Sequence, residues 1–318
     1  MMTLSKLAKL AHVSLSTASK AFSMSSEVNE ETREMIFNIA REHGCFKKFY
    51  NAKYPRFVVA VICPELRSRH YSTLVSYIQE ELSKRGCEMC VASTDFSPQT
   101  SKELYDYYNN YSNVDGFILI DGGKEWIQKN NIPIVSTGKS ISSAVNVSTN
   151  FSDGIKMAAD YFIEKGITDI GFIAEPFTVS KLNFFKNYMQ EKGLENIEEY
   201  LSLSSERMEK GGYLAMEELL KKKKLPRAVI CSYDCMAIGA MRCIFDHGLR
   251  IPEDIAIIGI NNNRESEYLN PPLSSVDTGE SELSKTMAEA IVNKILGKET
   301  KDNFVIKPRL VLRKSSEI

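Results

Sequence analysis

The first fifty residues place apolar side chains at the spacing of three short helices. Each segment carries an apolar stripe on one face: Leu4, Leu7, Ala8 and Ala11 in the first, Ala18, Ala21 and Phe22 in the second, and Met35, Ile36, Ile39 and Ala40 in the third. Ser14 and Asn29 stand where the N-caps of the second and third helices are expected, and Gly44 ends the third. Because small alanines let the first two helices approach closely around a tight turn, the pattern predicts an all-α helix-turn-helix head.

From Phe57 onward the pattern changes to an alternation of apolar strands and amphipathic helices. The first series contains strand 57–62, helix 74–84, strand 87–93, helix 102–109 and strands 115–120 and 132–137. The second begins near Asn150 and contains helices 153–165, 180–192, 209–222 and 235–247 and strands 169–174, 200–203, 228–231 and 255–260. We therefore expect an α/β body of two doubly wound lobes, with a ligand cleft at the carboxyl ends of their strands.

The head has the dimensions and the side chains for binding DNA. A helix fits the major groove, and side chains near its N-terminal end contact base edges. Leu15, Ser16 and Lys20 point outward on the second helix and are the base-reading candidates, since lysine donates to guanine and leucine packs on a thymine methyl. Polar and basic side chains nearby are the candidates for phosphate contacts: Thr3, Ser14, Thr17, Ser19, Asn29, Lys47 and Lys48. On spacing alone, a small helical bundle that docks another protein is the alternative.

The distribution of charge favours the DNA-binding interpretation, although the net charge of the chain is only −1. Residues 1–26 contain three lysines and no acidic residue, and residues 47–56 contain four basic residues and no acidic one. A basic arm on a neutral body is typical of proteins that bind nucleic acids.

The sequence also indicates a compartment. Lys6, Lys9 and His12 interrupt the apolar N-terminal residues, so these residues do not form the core of a signal peptide. No stretch approaches the ~18–20 apolar residues of a membrane span. The seven cysteines are odd in number and scattered, which favours a reducing compartment. We therefore expect a cytoplasmic protein that does not bind membranes.

Catalytic and metal-binding motifs are not evident in the sequence. Cys87 and Cys90 form a CxxC within a predicted strand and without a second ligand pair, so we expect structural thiols there. None of the four histidines stands in a catalytic motif. The sequence thus predicts no enzyme, no metal and no cofactor. An exported solute-binding protein would share the body, but it would need a signal peptide and would have no use for the head.

Two stretches of the head resemble the lactose-repressor (LacI) family of bacterial transcription regulators. Residues 3–22, TLSKLAKLAHVSLSTASKAF, are similar to the family pattern TLxDVAxxAGVSxxTVSRVLN, and residues 28–33, VNEETR, are similar to VSxxTR. The resemblance implies that Leu15, Ser16 and Lys20 occupy the operator-reading positions. His12 replaces the usual turn glycine, where a positive φ is costly, and Lys20 replaces the usual arginine, which weakens bidentate contact with guanine.

The body resembles the same family in residues 248–262 (GLRIPEDIAIIGINN), 271–276 (PPLSSV) and 113–118 (NVDGFI). This implies a periplasmic-binding-protein-like effector body whose chain crosses between lobes near 150, 275 and 303. It also implies a homodimer that reads a near-palindromic operator, one half-site per head. The expected domains are a head (1–46), a basic linker or short hinge (47–56) and a body (57–318). Within the body we expect an N-lobe of residues 57–149 and 276–302 and a C-lobe of residues 150–275 and 303–318.

The linker departs from the family pattern. The family's hinge helix carries a leucine that enters the minor groove and kinks the operator. Residues 45–55 are shorter and contain no leucine, and Tyr54 before Pro55 disfavours helix. Phe49, Tyr50 and Tyr54 are candidates to replace the leucine, whereas a basic linker that contacts phosphates is the simpler interpretation.

The cleft departs as well. Sugar-binding members use Asp, Asn and Arg, whose groups match vicinal hydroxyls. The matching positions here hold Gly138 for an Asp, Val179 for the Arg, Tyr233 for an Asn and Asn261 for an Asp. The candidate effector residues are Arg69, His70, Tyr71, Asp95, Tyr233, Asp234 and Asn261. An ordinary neutral sugar is disfavoured as the effector. An anionic or aromatic small molecule is one interpretation, and a cleft without a ligand, with control by a protein partner or by none, is the other.

Overall fold

The computed structural model describes residues 2–50, 57–112, 114–121, 127, 132–138, 141–194 and 197–318. Its head contains the helices α1 (Leu4–Leu10), α2 (Leu15–Phe22), α3 (Glu30–Glu42) and α4 (Phe46–Tyr50). Leu7, Phe22 and Ile36 form the centre of the head core and are almost fully buried. The alanines of α1 and α2 are buried where the two helices meet, so the close crossing that the sequence predicts is present.

The fourth helix lies at the start of the segment that was predicted to be a basic linker or short hinge. Phe49 packs against Phe22 with ring centroids 5.6 Å apart, and the ring of Tyr50 meets Phe37 edge-on at 6.0 Å. These two aromatic candidates for a DNA wedge therefore pack on the head, which extends to Tyr50 rather than ending at residue 46. Tyr54, with the rest of the predicted linker (51–56), lies outside the described residues.

The body alternates strands and helices, as its periodicity predicts. The strands are β1 (Val58–Cys63), β2 (Glu88–Ser93), β3 (Gly116–Leu119), β4 (Ile134–Ser136), β5 (Val145–Thr149), β6 (Ile170–Ala174), β7 (Leu201–Leu203), β8 (Ala228–Cys231), β9 (Ala256–Ile260), β10 (Ser274–Asp277), β11 (Asn303–Ile306) and β12 (Arg309–Val311). The helices are α5 (Arg69–Lys84), α6 (Pro98–Tyr111), α7 (Phe151–Glu164), α8 (Val179–Glu191), α9 (Met208–Leu220), α10 (Asp234–Asp246) and α11 (Glu280–Ile295).

Each lobe is built on a six-stranded sheet. The strand order is β11-β5-β4-β3-β1-β2 in the N-lobe and β12-β10-β9-β8-β6-β7 in the C-lobe. Neighbouring strands pair in parallel, except that β12 runs antiparallel to β10. The strands at the centre of each sheet are apolar and buried because helices cover both faces, and this explains their continuous apolar sequence.

The chain crosses between the lobes three times, and only the third crossing lies clearly later than predicted. The first follows β5, near residue 150 as expected. Because β10 pairs with β9 in the C-lobe sheet, the second crossing follows residue 277, near 275 as expected. Because β11 pairs with β5 in the N-lobe sheet, the third crossing lies between residues 306 and 309 rather than near 303.

Helices α9 and α10 approach closely because glycines face backbone on both sides. A Cβ on Gly212 would lie 2.0 Å from the carbonyl oxygen of Met236, and a Cβ on Gly239 would lie 1.8 Å from that of Glu209. This packing holds the N-terminal ends of the two helices side by side. The hydroxyl of Tyr233, just before α10, accepts a 3.0 Å hydrogen bond from the backbone N–H of Met208 at the start of α9.

The two cysteines of the CxxC lie just before and within β2. Cys87 is buried, Cys90 is partly buried on β2, and burial raises the pKa of both thiols. Within the described ranges, no three side chains of metal-ligating type cluster together. None of the helices in those ranges is long and apolar enough to cross a lipid bilayer.

Candidate functional site

The N-terminal end of α2 presents both polar and apolar side chains to solvent. Ser14 caps the helix by accepting the backbone N–H of Thr17 at 2.9 Å, and its hydroxyl also lies 2.8 Å from that of Thr17. Leu15 is 54% exposed although it is apolar, and Ser16 beside it is exposed too. An apolar side chain left in water at a capped helix end is available to pack against a base.

The turn before α2 uses the conformation that the sequence predicts for it. His12 has a φ of 50°, in the left-handed region that favours glycine. Histidine tolerates this region better than most side chains do. The turn therefore keeps the geometry that brings α2 across α1, even though glycine is absent.

The described candidates for phosphate contacts lie at the caps of α1, α2 and α3, on α2 and on α4. Thr3 and Asn29 cap α1 and α3, accepting from the backbone N–H groups of Lys6 at 3.2 Å and Thr32 at 2.8 Å. A capping hydroxyl or amide still has a hydrogen to donate, so capping is compatible with a phosphate contact.

Lys48 is exposed on α4, with its Nζ 3.3 Å from the carbonyl oxygen of Met2. The side chain of Lys47 lies outside the described part of the chain. Ser19 lies half-buried on α2.

Lys20 lies half-exposed on the last turn of α2, where it pairs with Glu27. Its Nζ is 2.5 Å from Oε2 of Glu27, in the segment that joins α2 to α3. Sequence spacing gave no reason to join two residues in different elements, so only the folded head reveals the pair.

A cavity of about 530 Å³ lies between the two lobes. Five of the seven predicted effector residues line it: Arg69, His70, Tyr71, Tyr233 and Asn261. Asp95 is exposed outside it, and its neighbour Phe96 lines the cavity instead. The structure thus brings together most of the predicted set at the carboxyl ends of the strands, where ligands bind in doubly wound sheets.

Asp234, the other predicted effector residue outside the lining, is a structural group behind the cavity. Its carboxylate is fully buried and accepts from the backbone N–H of Asn263 at 2.6 Å and from the hydroxyls of Ser266 at 3.0 Å and Ser275 at 2.6 Å. Burial raises the pKa of Asp234 to about 7, even though these hydrogen bonds favour the charged form. The carboxylate therefore ties β10 and the segment after β9 to the start of α10.

Asp121 is a cavity residue that sequence reasoning missed. Its carboxylate, just after β3, accepts from the hydroxyl of Tyr71 at 3.0 Å and from that of Thr137 at 3.2 Å. A Cβ on Gly138 would lie only 2.8 Å from Asp121 Oδ1. The carboxylate of Asp121 thus occupies the space that a side chain at position 138 would enter.

Lys181 on α8 is a second missed residue of the cavity lining. It donates to the carbonyl oxygen of Ser232 at 2.9 Å. Burial lowers the pKa of Lys181 to about 8, while the carboxylates of Asp121 and Glu175 act in the opposite direction. The cavity lining therefore contains a buried ammonium group between carboxylates.

Side chains from both lobes meet across the cavity. The guanidinium of Arg207, just before α9, donates to both carboxylate oxygens of Glu65 at 2.7 and 3.2 Å. The rings of Phe96 and Phe177 stack with centroids 4.2 Å apart, and the guanidinium lies within 5.0 Å of each centroid. A second ion pair joins Arg69 to Glu265. The two lobes are therefore joined across the cavity by two ion pairs and an aromatic stack.

Comparisons with known proteins agree with this architecture. A model of the lacI family of bacterial regulatory proteins matches residues 3–45, and a model of a periplasmic binding protein-like domain matches residues 159–316. The probable HTH-type transcriptional repressor ExuR of Bacillus subtilis (strain 168) is 30% identical, over 96% of this chain and 95% of that protein. Catabolite control protein A of Staphylococcus epidermidis is 27% identical over 86% of each chain.

Solved structures have the same two-part organisation. A complex of the transcriptional regulator CelR with cellobiose superposes with a TM-score of 0.68 at 25% identity, covering 99% of this chain and 100% of that one. The lac repressor dimer bound to operator and to an anti-inducer superposes with a TM-score of 0.74 over 99% of each chain. At 20% identity, the second likeness supports the fold alone.

Proposed function

Because the chain belongs to the lacI family of bacterial regulatory proteins, we propose that it represses transcription as a homodimer bound to a near-palindromic operator. It is a DNA-binding regulator with a ligand-binding-protein-like body.

The exposed N-terminal end of α2 is the observation that carries the proposal. Leu15 and Ser16 emerge from a capped helix end, and Lys20 follows one turn later on the outward side. These are the side chains that would enter the major groove and contact base edges. The caps of the three helices and Lys48 would hold the phosphates on either side.

Selection from a random DNA library, followed by affinity measurements on the selected operator, tests these roles. Lys20→Ala should lower the preference for one base pair in each half-site, whereas Lys48→Ala should lower affinity for all sequences about equally and reduce the salt slope by about one. The two variants remove the same charge, so each serves as the control for the other. If both lost the same base preference, or if affinity did not depend on salt, the assigned roles would be wrong.

The cavity supports a small-molecule effector. Its volume lies within the range of about 300–1,000 Å³ that is usual for ligand sites. Acceptors on Asp121 and donors on Lys181 and Asn261 converge on it, so polar recognition is available even though the family's usual residues are replaced. Lys181 favours an effector that carries an acidic group.

A second candidate is a regulator whose cleft closes without a ligand and whose control comes from a protein partner. The ion pair between Glu65 and Arg207 and the Phe96–Phe177 stack favour it, because they supply contacts across the cavity that an effector usually provides. The two candidates share the operator-binding head and differ only in what opens and closes the lobes.

A further inference from the structure

The ammonium group of Lys20 has a fixed partner on the surface of the head. Its Nζ lies 2.5 Å from Oε2 of Glu27, seven residues along the chain. The two side chains are 42% and 66% exposed, so both can meet a docking molecule. The base-reading candidate therefore presents an acceptor beside its donor, rather than a lone positive charge.

The backbone on both sides of Glu27 is anchored to the interior of the head. Arg33 is buried on α3, and its Nη2 donates to the carbonyl oxygens of Ser25 at 2.9 Å and of Val28 at 2.8 Å. Val28 is itself part of the head core. Because this segment is already fixed, less conformational freedom is lost when Glu27 holds Lys20 than in most exposed ion pairs.

A donor beside an acceptor complements one edge of a G·C base pair. In the major groove guanine presents the acceptors O6 and N7, and its cytosine partner presents the N4 amino group as a donor. A phosphate offers only acceptors and repels a carboxylate. Lysine held by glutamate is therefore better matched to a G·C edge than to the DNA backbone.

We propose that Glu27 is a specificity-determining residue, which acts with Lys20 to recognise a G·C base pair in each operator half-site. Lys20 donates to guanine, and Glu27 accepts from the N4 amino group of cytosine and orients Lys20. The inference rests on the proposed binding of operator through α2. Glu27 thus joins Lys20 in the recognition surface, and the two side chains together contact one base pair in each half-site.

The test uses the full-length Glu27→Gln variant with Glu31→Gln as its matched control. Both residues are exposed, four positions apart at the start of α3 and in the segment before it, and both substitutions remove one negative charge. After the wild-type operator has been selected from random DNA, fluorescence anisotropy gives Kd for that operator and for versions with each half-site pair replaced in turn. Thermal unfolding of each variant confirms that it folds.

We expect one G·C position at which the wild type discriminates by about tenfold or more. Glu27→Gln should lower this ratio of Kd values about threefold to tenfold, whereas Glu31→Gln should leave it unchanged. Both variants should bind all DNA more tightly, because each removes a charge that repels phosphate. In a Lys20→Ala background, Glu27→Gln should change discrimination no more than Glu31→Gln does.

Two results would contradict the proposal while leaving operator binding intact. One is unchanged discrimination by Glu27→Gln at every half-site position. The other is a Lys20-dependent position that prefers A·T. If the wild type selected no operator at all, the proposed function itself would fail, and this inference would fail with it.

Discussion

His70 and Glu280 form a titratable pair at the edge of the cleft. The Nδ1 atom of His70 lies 2.5 Å from Oε1 of Glu280, and the two side chains are 30% and 7% exposed. Burial of the ring acts to lower the pKa of His70, but the charge and the hydrogen bond of Glu280 outweigh it, so the pKa lies above its ordinary value. Asp121 acts in the same direction as Glu280, and Lys181 opposes them. The pair joins the start of α5 to the start of α11 and depends on the charge of His70.

His70→Gln should therefore lower thermal stability most at low pH. Because folding raises the pKa, the stabilisation is fully present below about pH 6.5 and is lost as pH rises through the folded-state pKa. We expect the variant to melt about 2–4 °C below the wild type near pH 6, which corresponds to about 1 kcal/mol, and the difference to shrink at higher pH. Thermal scans of both proteins across this range measure it. A difference that stayed constant with pH would contradict the assignment.

Single residues also show where sequence reasoning succeeds and where it stops. The positive φ of His12 was expected because the resemblance places this residue at the family's turn glycine, and the local backbone has that conformation. Asp121 could not be predicted to occupy the space at position 138, because the two residues follow neighbouring strands and meet only after the sheet forms. Asp234 was expected in the cleft, but at the start of α10 its side chain turns to the interior, where it accepts from Ser266 and Ser275.

Helix α4 departs from the sequence prediction in how its side chains pack. Its segment is basic and has no leucine, so it was expected to contact phosphates or to replace a DNA wedge. Four aromatic rings from α2, α3 and α4 instead pack together: Phe22, Phe37, Phe46 and Phe49. A five-residue segment is too short for its periodicity to predict that its aromatic side chains pack on the head core.

Phe49→Ala should loosen the head rather than change how DNA bends. Phe49 is half-buried, so the loss should be about 1–2 kcal/mol, below the 3–5 kcal/mol typical of a fully buried phenylalanine. Native-state hydrogen exchange of α3 amides in the full chain measures it as faster exchange. Lys48→Ala, an exposed change on the same helix, should stay within about 0.5 kcal/mol of wild type. Equal exchange in both variants would show that α4 does not stabilise the head.

The body was predicted well where strands are long and apolar, and less well at its edges. Continuous apolar runs gave β1, β6, β8 and β9 to within a residue or two, because both faces of these strands are buried. β11 was not predicted, since half of its residues are exposed and its partner β5 lies about 150 positions earlier in the chain. Because β11 pairs with β5, the last lobe crossing lies later in the chain than expected. Such a pairing joins residues far apart in sequence, and local sequence patterns do not contain that information.

The closure of the two lobes depends on contacts between residues far apart in sequence. Glu65 and Arg207 are 142 positions apart, and Glu65 is almost buried beneath the guanidinium. Arg69 and Glu265 join the lobes as well, but both are well exposed. An ion pair shielded from water is worth more than one that water screens, so the first pair should control closure.

Arg207→Ala should therefore open the body, and Arg69→Ala is its matched control because it removes the same side chain from the exposed pair. Loss of Arg207 leaves the Glu65 carboxylate unpaired in the closed form, at a cost of about 2 kcal/mol or more, and opening returns that carboxylate to water. Loss of Arg69 should cost between about 0 and 1 kcal/mol. Small-angle X-ray scattering of the ligand-free proteins should give a larger radius of gyration for Arg207→Ala only. Equal radii for wild type and Arg207→Ala would mean that the Phe96–Phe177 stack and the lobe crossings close the body without the ion pair.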